Sequence, residues 1–140
     1  MKISTKGRYG ITIMMALGRH FGKGPLSLKT IADQHQLSEH YLEQLIAPLR
    51  NFGLVKSIRG AYGGYVLAQE PKAITVAEII RVLEGPIQPV EVMEDDDPAK
   101  RELWRKIRDA VKDVLDHTTV YDLITFENDK NVQDPLMFYI

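Results

Sequence analysis

The apolar positions of this chain follow two different periods. Between Ser38 and Leu49, apolar residues recur at Leu42, Leu45, Ile46 and Leu49, the i, i+3, i+4, i+7 spacing of one buried helical face. Ser38 stands where a helix N-cap belongs. His40, Glu43, Gln44 and Ala47 fall on the opposite face, which therefore carries hydrogen-bonding groups and one small residue instead of a Lys/Glu mixture. Residues 54–58 and 65–67 are short β-branched and aromatic runs around Arg59-Gly60-Ala61-Tyr62-Gly63-Gly64, which predicts a β-hairpin. Pro48 lies inside the predicted helix and lacks the amide that would bond to the Gln44 carbonyl, which predicts a kink or a short non-α turn. Gly53 is placed for a left-handed helix cap.

Upstream, Ser4 is a candidate cap for a first helix with two apolar stripes. Tyr9, Ile13, Ala16, Leu17 and Phe21 form one, and Ile11, Met14 and Met15 the other. A helix apolar on two sides is buried on two sides, here expected against the next helices and against a partner subunit. Ser27 caps a second helix with Leu28, Ile31 and Ala32 inward, and Leu37 closes the turn before Ser38. Helix, short turn, capped helix and hairpin together describe a winged helix-turn-helix.

Downstream, Thr75-Val76-Ala77-Glu78 is a capping box ahead of Ile79, Ile80, Val82 and Leu83. Residues 86–97 hold two prolines and the run Glu94-Asp95-Asp96-Asp97, expected to be a surface linker whose carboxylates sit in water. Asp97-Pro98 then opens a long helix. Its apolar stripe runs through Leu103, Ile107, Ala110, Val111, Val114 and Leu115, with Trp104 beside it. A stripe outside an already complete winged domain is best used for dimerisation, so Leu103, Trp104, Ile107, Val111, Val114 and Leu115 are the candidate dimer residues. Thr119 to Asp122 resembles a further cap, before Leu123, Ile124 and Phe126 in a short helix. The expected organisation is mostly α with a small β-hairpin. A DNA-binding winged domain spans 1–85, an acidic linker 86–97, the dimerisation helix and a short following helix 98–127, and a tail 128–140.

Charge sharpens this picture. The net charge of -1 hides an asymmetry. Residues 1–70 have nine Lys/Arg against four Asp/Glu, a net of +5, and residues 71–140 have nine against fifteen, a net of -6. A basic head on an acidic body fits phosphate binding at one end. There is no cysteine, which excludes disulfides, a thiol nucleophile and a cysteine-ligated cluster. No apolar run long enough for a membrane span and no signal-type stretch occurs, so a cytoplasmic protein is expected. No catalytic constellation assembles. His20, His35, His40 and His117 are scattered, with His20 and His117 expected at helix ends. The glycine-rich turn lacks the lysine and hydroxyl of a phosphate loop, and there is no nucleophile elbow. The protein is read as a non-enzyme without cofactor or metal.

Base recognition in a major groove uses side chains near the N-terminus of a docked helix. Ser38, His40, Tyr41, Glu43 and Gln44 are the candidates, with Arg59 and Gly60 at the wing tip for a minor groove. Lys2, Lys6, Lys29, Arg50 and Lys56 are candidates for phosphates, so double-stranded DNA is the expected partner.

The signature Ser4-Thr5-Lys6-Gly7-Arg8-Tyr9, Tyr41-Leu42-Glu43-Gln44-Leu45, Leu49-Arg50, Gly53-Leu54-Val55 and Arg59-Gly60 with Gly63-Gly64-Tyr65 resembles the Rrf2 family of bacterial transcription regulators. The resemblance implies a dimeric winged helix-turn-helix with a long C-terminal dimerisation helix. It also implies that Ser38, His40, Glu43, Gln44 and Arg59 read DNA. Many members hold an iron–sulfur cluster on three cysteines ahead of the long helix, and this chain has none. Val82-Leu83-Glu84-Gly85-Pro86-Ile87, Leu103-Trp104, residues 108–116 and Met137-Phe138-Tyr139-Ile140 resemble a cluster-free branch. That branch represses cysteine metabolism and works with cysteine synthase (O-acetylserine sulfhydrylase). Cysteine synthase also takes up the C-terminal isoleucine of serine acetyltransferase, so Phe138, Tyr139 and Ile140 become the candidate partner-binding residues. Two alternatives stay open at this point. The tail folds back on its own core, or the chain is chiefly an interaction module that inhibits an enzyme through that tail.

Overall fold

The computed structural model describes residues 2–128. Its elements are α1 (Thr5–Arg19), α2 (Leu28–His35), α3 (Glu39–Asn51), β1 (Val55–Ile58), β2 (Gly64–Leu67), α4 (Val76–Glu84), α5 (Pro98–His117) and α6 (Val120–Asn128), with a short 3-10 turn at Pro71–Ala73. The mostly helical chain with one hairpin agrees with the architecture expected from the apolar periods.

The predicted caps are present in detail. Ser27 Oγ accepts from the Thr30 amide at 3.1 Å and Ser38 Oγ from the Tyr41 amide at 3.3 Å. Thr75 and Glu78 form the full capping box. Asp97 accepts from the Lys100 amide at 2.8 Å, and Thr119 and Asp122 cap α6 reciprocally. At the end of α3 the Leu54 amide bonds the Leu49 carbonyl and the Gly53 amide bonds the Arg50 carbonyl. Gly53 takes φ 80°, so the helix ends in a Schellman motif. α3 runs continuously through Pro48. The proline forgoes the one bond that its missing amide would make to the Gln44 carbonyl.

Ser4 differs from expectation. It occupies the N-cap position of α1, but its side chain makes no cap bond. The acceptor is instead Glu84, at the far end of α4. One Glu84 carboxylate oxygen takes the Ser4 amide at 2.9 Å, the Gly7 amide at 3.1 Å and the Ser4 hydroxyl. α1 has no acidic residue in its first turn, so this distant carboxylate supplies the negative charge that a helix N-terminus favours.

Of the second stripe of α1, expected to meet a partner subunit, Met14 is closed off by its own chain while Ile11 and Met15 stay half-buried. Ile11 packs on a cluster formed by Val76, Ala77, Ile80 and Ile87. α4 and α6 reach α1 at its glycines. A Cβ on Gly10 would overlap Leu83, one on Gly7 would lie 2.6 Å from Glu84, and one on Gly18 would lie 2.8 Å from Val120. From the first stripe Ile13, Ala16 and Leu17 are buried, but Phe21, just past the helix, is 45% exposed.

β1 and β2 pair antiparallel from Val55↔Leu67 to Ile58↔Gly64. Leu26 adds a third pairing, exchanging both backbone bonds with Tyr65 at 3.0 and 2.9 Å. This anchors the hairpin to the chain just ahead of α2. A second unforeseen pairing joins Thr75 to Thr119, with the Val76 amide on the Thr118 carbonyl at 2.8 Å and the Val120 amide on the Ile74 carbonyl at 2.9 Å.

The stretch expected to be a loose acidic linker is partly built in. Ile87 is buried. Asp96 accepts from the Met93 amide at 2.8 Å and from the Trp104 indole at 3.0 Å. Arg101 donates to the carbonyls of Asp96 at 2.9 Å and Glu94 at 3.1 Å. The Met93 amide bond foremost, then Trp104 and the nearby Lys100 and Arg101, hold the Asp96 carboxyl below its ordinary range. α6 continues to Asn128, where the tail was expected to start; the rest of that tail lies outside the described residues.

The Glu84 contact yields a test. Glu84→Ala should lower stability in urea unfolding by about 1–2 kcal/mol, the cost of losing a helix cap. Ser4→Ala should cost less, because Ser4 only donates to the capping carboxylate; the reverse order would return the cap to Ser4.

Candidate nucleic-acid interface

The outward face of α3 follows from which of its faces is buried. Leu42, Leu45, Ile46 and Leu49 are at most 2% exposed and fix the helix against the core. That leaves Ser38, His40, Glu43 and Gln44 exposed together across the first two turns. Gln44 Nε2 lies 3.4 Å from His40 Nε2, and His40 Nδ1 lies 4.0 Å from Glu43. Three side chains able to donate or accept thus share one outward patch. None is committed to a strong contact among the described residues.

Tyr41 is placed differently from these four. It is half-buried, and its ring meets that of Tyr9 edge-on at 5.8 Å and 85°. This aromatic pair ties the start of α3 to α1, which makes Tyr41 an anchor for the outward face. Its i, i+3, i+4 position between the two faces is the sequence signal that fits this role.

The wing is held by geometry as much as by pairing. Gly60 takes φ 118°, and its carbonyl accepts from the Gly63 amide at 3.0 Å. A Cβ on Gly63 would run into the Ile58 carbonyl, so the tip tolerates no side chain there. Arg59 and Gly60 are exposed at this tip as expected. The sequence reading passed over Tyr62, which is 95% exposed beside them.

Lys2, Lys6, Lys29, Arg50 and Lys56 are all exposed. They come from the segment before α1 and from α1, α2, α3 and β1. Arg50 stands in the last turn of α3, about 18 Å along the axis from Ser38 at 1.5 Å per residue. It therefore cannot share a base with the first-turn residues. At the start of α1 the Ser4 and Gly7 amides are engaged by Glu84, and Lys6 offers its charge beside them.

α5 divides the six candidate dimer residues. Val111 and Leu115 pack on the α4 cluster of the same chain, and Trp104 is engaged by Asp96. Leu103 at 49% and Val114 at 63% remain exposed, with Ile107 half-buried between them. On the polar side Arg105 bridges Glu102 at 2.6 Å and Asp109 at 2.9 Å. The Glu102 bond and charge, then Asp109, hold the Arg105 guanidinium more firmly protonated than usual. His117, at the helix end, has its pKa raised by its bond to the Asp113 carbonyl and then by the Asp113 and Asp116 charges. No described helix is long and apolar enough to cross a membrane.

Comparison with known proteins agrees with this arrangement. Residues 3–125 match the Rrf2 family, described as iron-dependent transcriptional regulators. The chain is 68% identical over 140 residues to the HTH-type transcriptional regulator CymR of Bacillus subtilis, covering 100% of both. It is 34% identical to the HTH-type transcriptional regulator IscR of Pectobacterium atrosepticum, covering 96% of this chain and 85% of that one. The solved structure of CymR (YrzC), the global cysteine regulator of B. subtilis, superposes with a TM-score of 0.87 at 71% identity, covering 90% of this chain and 98% of that one. The iron in the family description finds no fit here. The chain has no cysteine, and among the described residues no group of three His, Cys, Asp or Glu side chains could hold a metal. The segment ahead of α5 is instead closed by Asp96, Arg101 and Trp104. A match over nearly the whole chain, together with the helix–turn–helix and wing, establishes that the chain belongs to the Rrf2 family of transcriptional regulators.

Proposed function

We propose that this regulator is a cytoplasmic, homodimeric, DNA-binding repressor of cysteine and sulfur metabolism genes, controlled by complex formation with cysteine synthase. The observation that carries the DNA reading is the outward patch of Ser38, His40, Glu43 and Gln44 on a helix whose other face is fully buried. In this reading α3 enters the major groove. Gln44 faces adenine, Glu43 accepts from cytosine, and Ser38 and His40 serve several bases. Arg59 enters the neighbouring minor groove, where the potential is most negative. Tyr41 and Tyr9 set the depth at which α3 sits. The five exposed Lys and Arg residues take phosphates and fix register. The assignment to cysteine metabolism draws on the similarity to a regulator named for that role.

Leu103, Ile107 and Val114 support the homodimer, since a partly exposed apolar stripe on a five-turn helix needs a partner. A second copy crossing this stripe would place two reading helices on successive half-sites. Phe138, Tyr139 and Ile140 lie outside the described residues, and their role rests on the sequence alone. In this reading Phe138, Tyr139 and Ile140 would enter the amino-acid substrate site of cysteine synthase, and O-acetylserine would compete with them. The enzyme is then the sensor, and the regulator needs neither cluster nor thiol.

Three measurements test these assignments. Gln44→Ala and Arg59→Ala should each weaken binding to DNA from upstream of sulfur genes by about 1–3 kcal/mol relative to random DNA. Their unfolding midpoints should not change, because both side chains are exposed. If operator preference over random DNA survives both changes at several salt concentrations, the reading surface is misplaced. For the dimer, Leu103→Asp with Ile107→Asp should give monomers in analytical ultracentrifugation, since unpaired charge in an apolar seam is unfavourable; a persistent dimer would move the interface elsewhere. For the tail, deletion of Ile140 should abolish capture by cysteine synthase while the dimer persists. O-acetylserine should release the intact protein, and capture indifferent to both changes would refute the tail assignment.

A further inference from the structure

Between the end of α4 and the middle of α5 lies a cleft of about 470 Å³. Pro86 and Ile87 form apolar parts of its lining, and Gly85 sits where the chain leaves α4. Three cations line it: Arg81 from α4, and Arg108 and Lys112 from α5. Residues 71–140 carry fifteen acids and only nine Lys or Arg, so three of those nine converge on one cleft within the acidic half.

The placement runs against local helix stability. Arg108 and Lys112 are i, i+4 neighbours of like charge, an arrangement that disfavours a helix unless an anion lies between. Arg81 bonds Asp116 at 3.1 Å and Arg108 bonds Asp109 at 3.3 Å. Both pairs are exposed by two-fifths or more on at least one side and hold their guanidinium groups weakly. Lys112 is half-buried in the cleft and has no ion-pair or hydrogen-bond partner among the described residues.

We propose that this cleft is a binding site for a small anionic ligand, one carboxylate or phosphate-type group joined to a short apolar portion. Lys112 supplies an uncommitted point charge, and the two guanidinium groups supply planar forks that match such an oxyanion. Pro86 and Ile87 receive the apolar portion, and the volume falls within the range of small-molecule sites. The site is compatible with a dimer through Leu103, Ile107 and Val114. At 3.6 residues per turn, Arg108 and Lys112 point about 120–160° away from the middle of that stripe. The ligand would also sit beside the last turn of α4, which carries the Glu84 cap of α1. Occupancy would therefore be felt at the element on which the reading helix rests.

The test uses the full-length protein without DNA, so its outcome does not depend on the operator reading. Inorganic phosphate, sulfate and butyrate are titrated separately by calorimetry and by amide NMR, at constant ionic strength set with chloride. Saturable binding at one site per chain is expected for at least one of them. Preference for butyrate would mark a carboxylate site, and preference for phosphate or sulfate a tetrahedral-anion site. Shift changes should centre on the amides of Gly85, Ile87 and Lys112. Lys112→Met with Arg108→Gln should weaken binding about tenfold or more while the anion-free unfolding midpoint holds. Lys112→Gln alone should weaken it in the same direction if the double variant unfolds. No saturable binding by any of the three anions, shifts centred elsewhere, or equal affinity in the folded variants would overturn the proposal.

Discussion

The close approach of α4 and α6 to α1 is the constraint on which the rest of the structure depends. Glycine at positions 7, 10 and 18 of α1 permits it, since a single added carbon there would meet the side chains of Glu84, Leu83 or Val120. Glycine inside a helix costs about 1 kcal/mol relative to alanine, and α1 accepts that cost three times. In return the helix is covered on several sides, with Ile13, Met14 and Leu17 at 2% exposure or less. Glu84 completes the join by capping α1 from the end of α4.

A helix held in this way is a rigid platform. Tyr9 on α1 meets Tyr41 on α3, and the apolar side of α3 enters the same core cluster. The outward patch of α3 is therefore positioned by packing behind it, while His40, Glu43 and Gln44 make only weak mutual contacts. The wing follows the same logic. Leu26 pairs with Tyr65, and the turn is closed by Gly63 on Gly60, so the tip is oriented before any ligand arrives. Ordering these segments within the fold reduces what binding must later cost in entropy.

The segment before α5 shows how a family associated with iron can lack the metal's ligands. Where a cluster would need thiolates, this chain has a carboxylate that gathers an amide and an indole, and an arginine that gathers backbone carbonyls. Hydrogen bonds to charged groups are individually stronger than neutral ones. The loop is thereby fixed to the first two turns of α5 without redox chemistry.

Local rules in the sequence determined the elements and their faces. Ser27, Ser38, Thr75, Asp97 and Thr119 cap as their side chains dictate, and the apolar spacing of α3 fixed which residues face outward, because these are contacts within a few positions of one another. The tertiary structure alone decided the rest. It made Glu84 rather than Ser4 the cap of α1, across 80 residues of sequence for the Ser4 contact. It buried Met14 in its own chain, gave Tyr41 to Tyr9, tied Leu26 to Tyr65, and turned an acidic run into a latch for Trp104. It also brought Arg81, Arg108 and Lys112 to one cleft. Helix periods and caps are set by neighbours in sequence and can be read there. Which helix covers which, and which charge answers a distant one, depends on how the apolar faces close on each other, and that closure has no local signature.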